Sequence, residues 1–332
     1  MGFWSNTIKK IKSLFTTPAV ELIAPTPGLS DNPLPAPRPE APARPAAKTN
    51  AKVVPDYKFA GNRKALLVGI NAYGGANTLQ GCVMDCRCYW NRVVKEFDYD
   101  CRVVIDARAT LENILHRFDL LCSETDRGDQ VAFIYSGHGS RVRDRDGDEL
   151  VDQMDECLCP VDMTWDYLLL DDLLAECLAK LHPQALAWLV FDCCHSGSMS
   201  KNPTLGASVN PVTRPTMRNR YIAPPFDIEA RGTGAPLPLN RLGKTAQDAQ
   251  SNVICLSACR DNQTAAEANL AGEWRGAFSY YLLNVLGKNP TPTAMLMGDI
   301  ADNLKINGFA QLPVLTAPKE LENLPFLGGP RP

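Results

Sequence analysis

The sequence predicts an α/β fold: a mostly parallel six-stranded sheet with helices on both faces. Three observations carry that expectation. Val131-Ala132-Phe133-Ile134-Tyr135 and Leu186-Ala187-Trp188-Leu189-Val190-Phe191 are unbroken apolar runs, rich in β-branched and aromatic residues, of the kind that parallel sheets bury on both faces. Strand and helix signals alternate across residues 58–332, which suits βα crossovers. Finally, each run stops at a loop that carries reactive side chains. Ser136-Gly137-His138-Gly139 follows the first run and Asp192-Cys193-Cys194-His195-Ser196-Gly197 the second, at the carboxyl ends where open sheets bind ligands.

Residues 1–57 read as a leader. Trp4, Ile8, Ile11 and Phe15 fall at helical spacing among three lysines, which fits either a short amphipathic helix for a partner or membrane surface or a plain tail. Lysines interrupt any apolar stretch, so the segment is not a signal peptide, and Asn6 stands where a myristoylation motif needs Ser or Thr. Ten prolines between Thr16 and Tyr57 then predict an extended, solvated linker. In the folded part, strands are expected near 64–70, 101–106, 129–135, 186–192, 252–257 and 312–316. Helices are expected near 82–97, 108–122, 170–181, 276–287 and 293–305, the fourth marked by the stripe Phe278, Tyr281, Leu282, Val285 and Leu286. Residues 200–250 break this rhythm with seven prolines and seven Lys or Arg, and predict an exposed loop between a large half (58–199) and a small half (251–332).

Composition excludes several classes. The 332-residue chain has a formal charge of −3, of which about −6 falls beyond residue 57, so no basic patch points to nucleic acid. Twelve cysteines are under 4% of the chain, which fits reduced thiols in a cytosol better than a disulfide scaffold. No Cys-x-x-Cys pair suggests zinc. The acidic run from Asp144 to Glu149 has its glycine fourth rather than sixth, which argues against an EF-hand. No stretch is long and apolar enough to span a bilayer.

Two such loops can place an imidazole beside a thiol, the minimum for a cysteine nucleophile with its base, and His138 and Cys194 are the candidate pair. Cys193 is the rival nucleophile and His195 the rival base. The two loops, together with Leu79-Gln80-Gly81-Cys82-Val83-Met84-Asp85, Asp155-Glu156-Cys157-Leu158-Cys159-Pro160 and Leu256-Ser257-Ala258-Cys259-Arg260-Asp261-Asn262-Gln263, resemble the caspase-like cysteine peptidases of the metacaspase type over roughly residues 62–316. The resemblance implies a caspase-like fold and cleavage of peptide bonds through an acyl-enzyme. It selects Cys194, the cysteine immediately before His-Ser-Gly, and implies an oxyanion hole from the backbone N–H groups of Gly139 and Cys194. No third orienting residue is evident, so a dyad is expected.

The resemblance also implies that Asp85 and Asp192 line the pocket for the residue before the scissile bond, favouring protein substrates with Arg or Lys there. It implies a calcium site at Asp155, Asp171 and Asp172, whose fourth acidic ligand falls at Lys201 here. Calcium is therefore expected to bind weakly and not to be required, leaving no required cofactor. Type I metacaspases are often processed between their halves, so self-cleavage in the 200–250 loop is expected, first within Arg214 to Arg220. A caspase-like pseudoenzyme acting as a binding module, or another thiol hydrolase on a similar sheet, are the alternatives; an intact Cys194 and His138 argue against the former.

Overall fold

The computed structural model describes residues 60–143, 154–165, 168–194, 217–230, 252–260, 263–287 and 289–330. The expectations for residues 1–57, for His195 and Lys201 and for the acidic run from Asp144 to Glu149 lie outside these. Among the described residues no helix is long and apolar enough to cross a membrane.

A central six-stranded sheet contains β1 (Arg63–Gly69), β2 (Asp100–Ile105), β3 (Gln130–Ser136), β7 (Leu186–Asp192), β9 (Val253–Ser257) and β12 (Val314–Thr316), in the order β12-β9-β7-β3-β1-β2. All pairings are parallel except that of β12 with β9. Because side chains alternate along a strand, each central strand feeds both cores. Leu66, Val68, Phe133, Ala187 and Leu189 join one core with the helices α2 (Leu111–Ser123) and α3 (Asp171–Leu178). Leu67, Ile134, Trp188 and Val190 join the other with α1 (Cys82–Lys95), α5 (Ala277–Val285) and α6 (Thr293–Ile306). The expected stripe packs here, with Phe278, Tyr281, Leu282 and Leu286 buried.

Two smaller sheets flank the strand ends. One joins β4 (Gly139–Arg143), β5 (Met154–Leu158) and β6 (Leu169–Leu170), and the other joins β8 (Met217–Asn219), β10 (Ala266–Leu270) and β11 (Glu273–Gly276). Strand β8 corrects the expectation of an exposed loop through residues 200–250. Met217–Asn219 pairs antiparallel with β10, Arg220 is fully buried, and α4 (Phe226–Ala230) sets Ile228 against Val142 and Cys157. Proline and basic content hide these elements, because the segment's partners are distant in sequence and leave no local signal.

Candidate active site

Strands β3 and β7 are neighbours in register, with Ser136 opposite Asp192. Each chain then runs two residues further, so His138 and Cys194 leave the same edge of the sheet from adjacent strands. Both are buried. Cys194 belongs to the core under α1 and α5, whereas Cys193 points through to the opposite core beside Phe133 and Leu189. Alternation past the strand end thus separates the two cysteines. Burial raises the Cys193 thiol well above its ordinary pKa and holds it neutral.

The imidazole of His138 is oriented by main chain. Its Nε2 lies 2.7 Å from the carbonyl oxygen of Asn77, which only accepts, so Nε2 carries the hydrogen and Nδ1 the lone pair. Asn77 ends a short 3₁₀ turn, Gly75–Asn77, and supplies the third orienting group that the sequence reading did not find. Tyr73 packs edge-on against the ring at 4.6 Å, and its hydroxyl accepts from the His138 backbone N–H at 2.9 Å. Burial lowers the His138 pKa to about 4, only partly offset by the Asn77 carbonyl and reinforced by the nearby Arg220 charge. Nδ1 meets no partner at full hydrogen-bond geometry, although the Arg220 backbone lies near enough to favour the protonated ring slightly. The Cys194 thiol is held by the backbone of Ala265, whose N–H lies 2.7 Å from Sγ and whose carbonyl lies at 3.2 Å.

Residues 217–222 run through the space between these groups. The Arg220 carbonyl oxygen accepts from the N–H of Gly139 at 3.0 Å and from that of Cys194 at 3.2 Å. Upstream, the Arg220 N–H donates to Ala265 O at 3.0 Å, continuing the antiparallel ladder of β8 on β10. Downstream, the Ile222 N–H donates to Gly139 O at 3.1 Å, and Ser140 Oγ donates to Ile222 O at 2.6 Å. Gly139 has to be glycine, because a Cβ there would collide with the Cys194 carbonyl oxygen.

The guanidinium of Arg220 enters a pocket lined by carboxylates. Nη2 donates to Asp85 Oδ2 at 2.8 Å and lies 3.7 Å from Glu267 Oε2, while Nη1 lies 3.1 Å from Asp192 Oδ2 and donates to Ser136 Oγ at 2.8 Å. Asp85 is further fixed by Arg275 Nε at 2.8 Å and by the Gly276 N–H, and Asp192 by the Ser279 N–H at 3.0 Å. Glu267 accepts from the Gln80 and Gly81 N–H groups at the start of α1. Burial raises the Asp192 pKa despite Arg220, and its Oδ1 makes no hydrogen bond. Burial alone would lower the Arg220 pKa, but Asp192, Cys82, Asp85 and Glu267 raise it well above the ordinary value. Three carboxyl groups face two guanidinium groups, and Arg220 stays charged.

The sequence of this chain matches the model of the metacaspase peptidase C14 domain over residues 63–203. It is 30% identical to a metacaspase-1 of Kluyveromyces lactis, with 80% of this chain and 69% of that protein covered, and 30% identical to one of Ajellomyces capsulatus, with 77% and 80% covered. A metacaspase-1 of Schizosaccharomyces pombe is 28% identical over 79% of this chain and 68% of its own. The chain belongs to the metacaspase family. It is accordingly a caspase-like cysteine-type endopeptidase. The fold agrees with a solved structure from Geobacter sulfurreducens, which shares 22% identity and a TM-score of 0.58 over 82% of this chain and all of the other.

The structure brings together His138, Gly139, Cys194, Asp85 and Asp192 around Arg220. It adds Glu267, Ser136, Arg275 and the Asn77 carbonyl, which the motifs did not single out. Of the expected calcium residues, Asp171 opens α3 and Asp155 lies on β5, while the side chains of Asp155 and Asp172 lie outside the described residues. Among the described residues no group of three or more His, Cys, Asp or Glu is arranged to hold a metal.

Proposed function

We propose that this endopeptidase cleaves after Arg or Lys through Cys194 and His138, and that its first substrate is its own Arg220–Tyr221 bond. The observation that supports this is the double hold on Arg220. Its side chain is neutralised by buried carboxylates while its carbonyl oxygen accepts from the Gly139 and Cys194 N–H groups. A structural ion pair would account for the side chain. It would not account for a carbonyl set between two N–H groups beside a thiol and an imidazole, on the segment that continues β8.

In the reaction, the Cys194 thiol turns from Ala265 and gives its proton to His138 Nδ1. The sulfur then bonds to the carbonyl carbon of Arg220, and the electron pair displaced onto oxygen is met by the two N–H groups, a contribution of a few kcal/mol per donor in related chemistry. The C–N bond to Tyr221 breaks as His138 returns the proton to the departing nitrogen, leaving a thioester. Water, deprotonated by His138, cleaves the thioester, and the proton returns to sulfur. No cofactor enters these steps. Substrates supplied from outside are then bound as Arg220 is. An arginine fork meets Asp85, Asp192 and Ser136 at several points, whereas lysine offers a single ammonium, so arginine is preferred.

The test is to incubate the purified full chain and map new termini by mass spectrometry, alongside a peptide-library cleavage assay. A fragment beginning at Tyr221, absent from Cys194→Ala, with library cleavage after Arg and Lys, is expected. A chain that stays intact, or cleavage after acidic residues, would overturn the proposal.

A further inference from the structure

The Gly139 N–H belongs to a peptide unit that is held at both ends. The N–H donates to the Arg220 carbonyl at 3.0 Å, while the carbonyl of the same unit, that of His138, accepts from the Cys159 N–H at 3.1 Å and from the Tyr135 hydroxyl at 2.8 Å. Tyr135 lies near the end of β3, wholly buried, and its hydroxyl reaches the loop that follows. Beside it at 3.2 Å is the Tyr73 hydroxyl, which accepts from the His138 N–H and donates to the Cys159 carbonyl, both at 2.9 Å. With that carbonyl served by Tyr73, the Tyr135 proton goes to the His138 carbonyl, the nearer of its two acceptors. Burial raises both tyrosines well above their ordinary pKa, so both hydroxyls keep their protons. The pair also accounts for Gly137, where a Cβ would fall 2.6 Å from each hydroxyl oxygen.

We propose that Tyr135 is a positioning residue for the oxyanion hole: by donating to the His138 carbonyl, its hydroxyl strengthens the Gly139 N–H at the other end of the same peptide unit. This rests on reading the Gly139 and Cys194 N–H groups as the oxyanion donors of the proposed function. The peptide bond is conjugated, so a donor on its oxygen draws charge from its nitrogen and makes the N–H a better donor in turn. The His138 carbonyl already accepts from Cys159, so the hydroxyl is not needed to satisfy a buried oxygen. Its effect grows as negative charge develops on the substrate oxygen, because hydrogen bonds to an ionised acceptor are the stronger ones. The neutral carbonyl of bound substrate gains less, so Tyr135 acts on kcat rather than on KM.

The full-length protein, incubated until the segment at Arg220 is cut, is compared with Tyr135→Phe and with a ring-fluorinated tyrosine placed at the same position, whose hydroxyl is a stronger donor of nearly the same shape. Turnover of an arginyl peptide amide is expected to fall about five- to ten-fold in kcat for Tyr135→Phe with KM little changed, the worth of one hydrogen bond. The fluorinated protein should exceed the parent in kcat, an order that follows the strength of the donor and that a merely structural hydroxyl would not produce. Inactivation by iodoacetamide is measured on the same proteins. That reagent loses iodide from a tetrahedral carbon and builds no charge on a carbonyl oxygen, so its rate should be equal in all three if thiol and imidazole are undisturbed. A kcat for Tyr135→Phe equal to the parent's, or a fall matched by the iodoacetamide rate, would overturn the role of Tyr135 and leave the proposed function standing. Absence of cleavage after any basic residue by the parent protein would overturn both.

Discussion

Arg220 donates to Asp85 across 2.8 Å with both side chains wholly shielded from water, although the two residues are 135 positions apart. A charge buried in this way is stable only with its partners in place, and removing one partner leaves the rest uncompensated. A segment expected to form an exposed loop is therefore tied to a buried cluster of charges. This contact links stability of the uncut protein to occupancy of the site.

Replacing Arg220 by Ala should thus destabilise the uncut chain. In a Cys194→Ala background, which prevents cutting, Arg220→Ala leaves Asp85, Asp192 and Glu267 facing Arg275 alone, and a loss of about 3–5 kcal/mol is expected. Urea unfolding of the single and double variants measures it; a difference under about 1 kcal/mol would contradict the burial of this ion network.

The two adjacent cysteines should separate cleanly. Cys194→Ala and His138→Ala are expected to reduce peptide turnover by more than about a thousand-fold with the fold intact, since nucleophile and base act as a unit. Cys193 lies in the other core beside Phe133 and Leu189, so Cys193→Ala should keep substantial activity and cost about 1 kcal/mol of stability. An inactive Cys193→Ala beside an active Cys194→Ala would reverse the assignment.

Acid should weaken the uncut chain partly through His138. Its folded pKa, about 4, lies below the ordinary 6.5, so the unfolded chain takes up the proton first as pH falls. The stability this contributes is complete above about pH 6.5 and is lost on descent to about pH 4, up to about 3 kcal/mol. Asp192, whose pKa is raised, acts in the opposite sense but is present in both proteins compared. Urea midpoints of Cys194→Ala with and without His138→Gln, taken from pH 7.5 to 4.5, should converge toward acid; parallel curves would refute the assignment.

Among the pocket carboxylates, Asp85 should matter most for arginine selection. It accepts from Arg220, Arg275, Ser136 and the Gly276 N–H, whereas Glu267 stands 3.7 Å from the guanidinium and is engaged mainly by the Gln80 and Gly81 N–H groups just before α1. Asp85→Asn is expected to lower kcat/KM for arginyl peptides by about a hundred-fold or more, and Glu267→Gln by about ten-fold or less, following the strength of charge-assisted bonds. The reverse order in steady-state kinetics would mean that Glu267, not Asp85, anchors the substrate.

These residues also mark what the sequence made legible. The apolar runs ending at Ser136 and Asp192 announce two parallel strands, and their alternation places Trp188 and Leu189 in opposite cores. His138, Cys194 and Asp85 sit in motifs that declare themselves. Glu267 does not, because it lies on a five-residue strand among alanines, and its role depends on β8 lying alongside. Asn77 contributes only a carbonyl, which every residue has. Arg220 is hidden among prolines and other basic residues, and its burial is decided by carboxylates 28 to 135 positions away.

Two glycines should divide binding from chemistry. A Cβ at Gly139 would strike the Cys194 carbonyl oxygen, forcing apart the two N–H groups that converge on the Arg220 carbonyl. A Cβ at Gly276 would instead fall on Asp192 Oδ2 and on Arg220 Nη1, inside the space for the guanidinium. Gly139→Ala is therefore expected to lower kcat for arginyl peptides by about a hundred-fold with KM little changed, the loss typical of one oxyanion donor. Gly276→Ala should raise KM and flatten the preference for arginine over smaller neutral residues. Both variants are compared by steady-state kinetics after their thermal transitions have been checked. If Gly139→Ala changed only KM, the Gly139 N–H would be holding the resting segment rather than stabilising the developing negative charge.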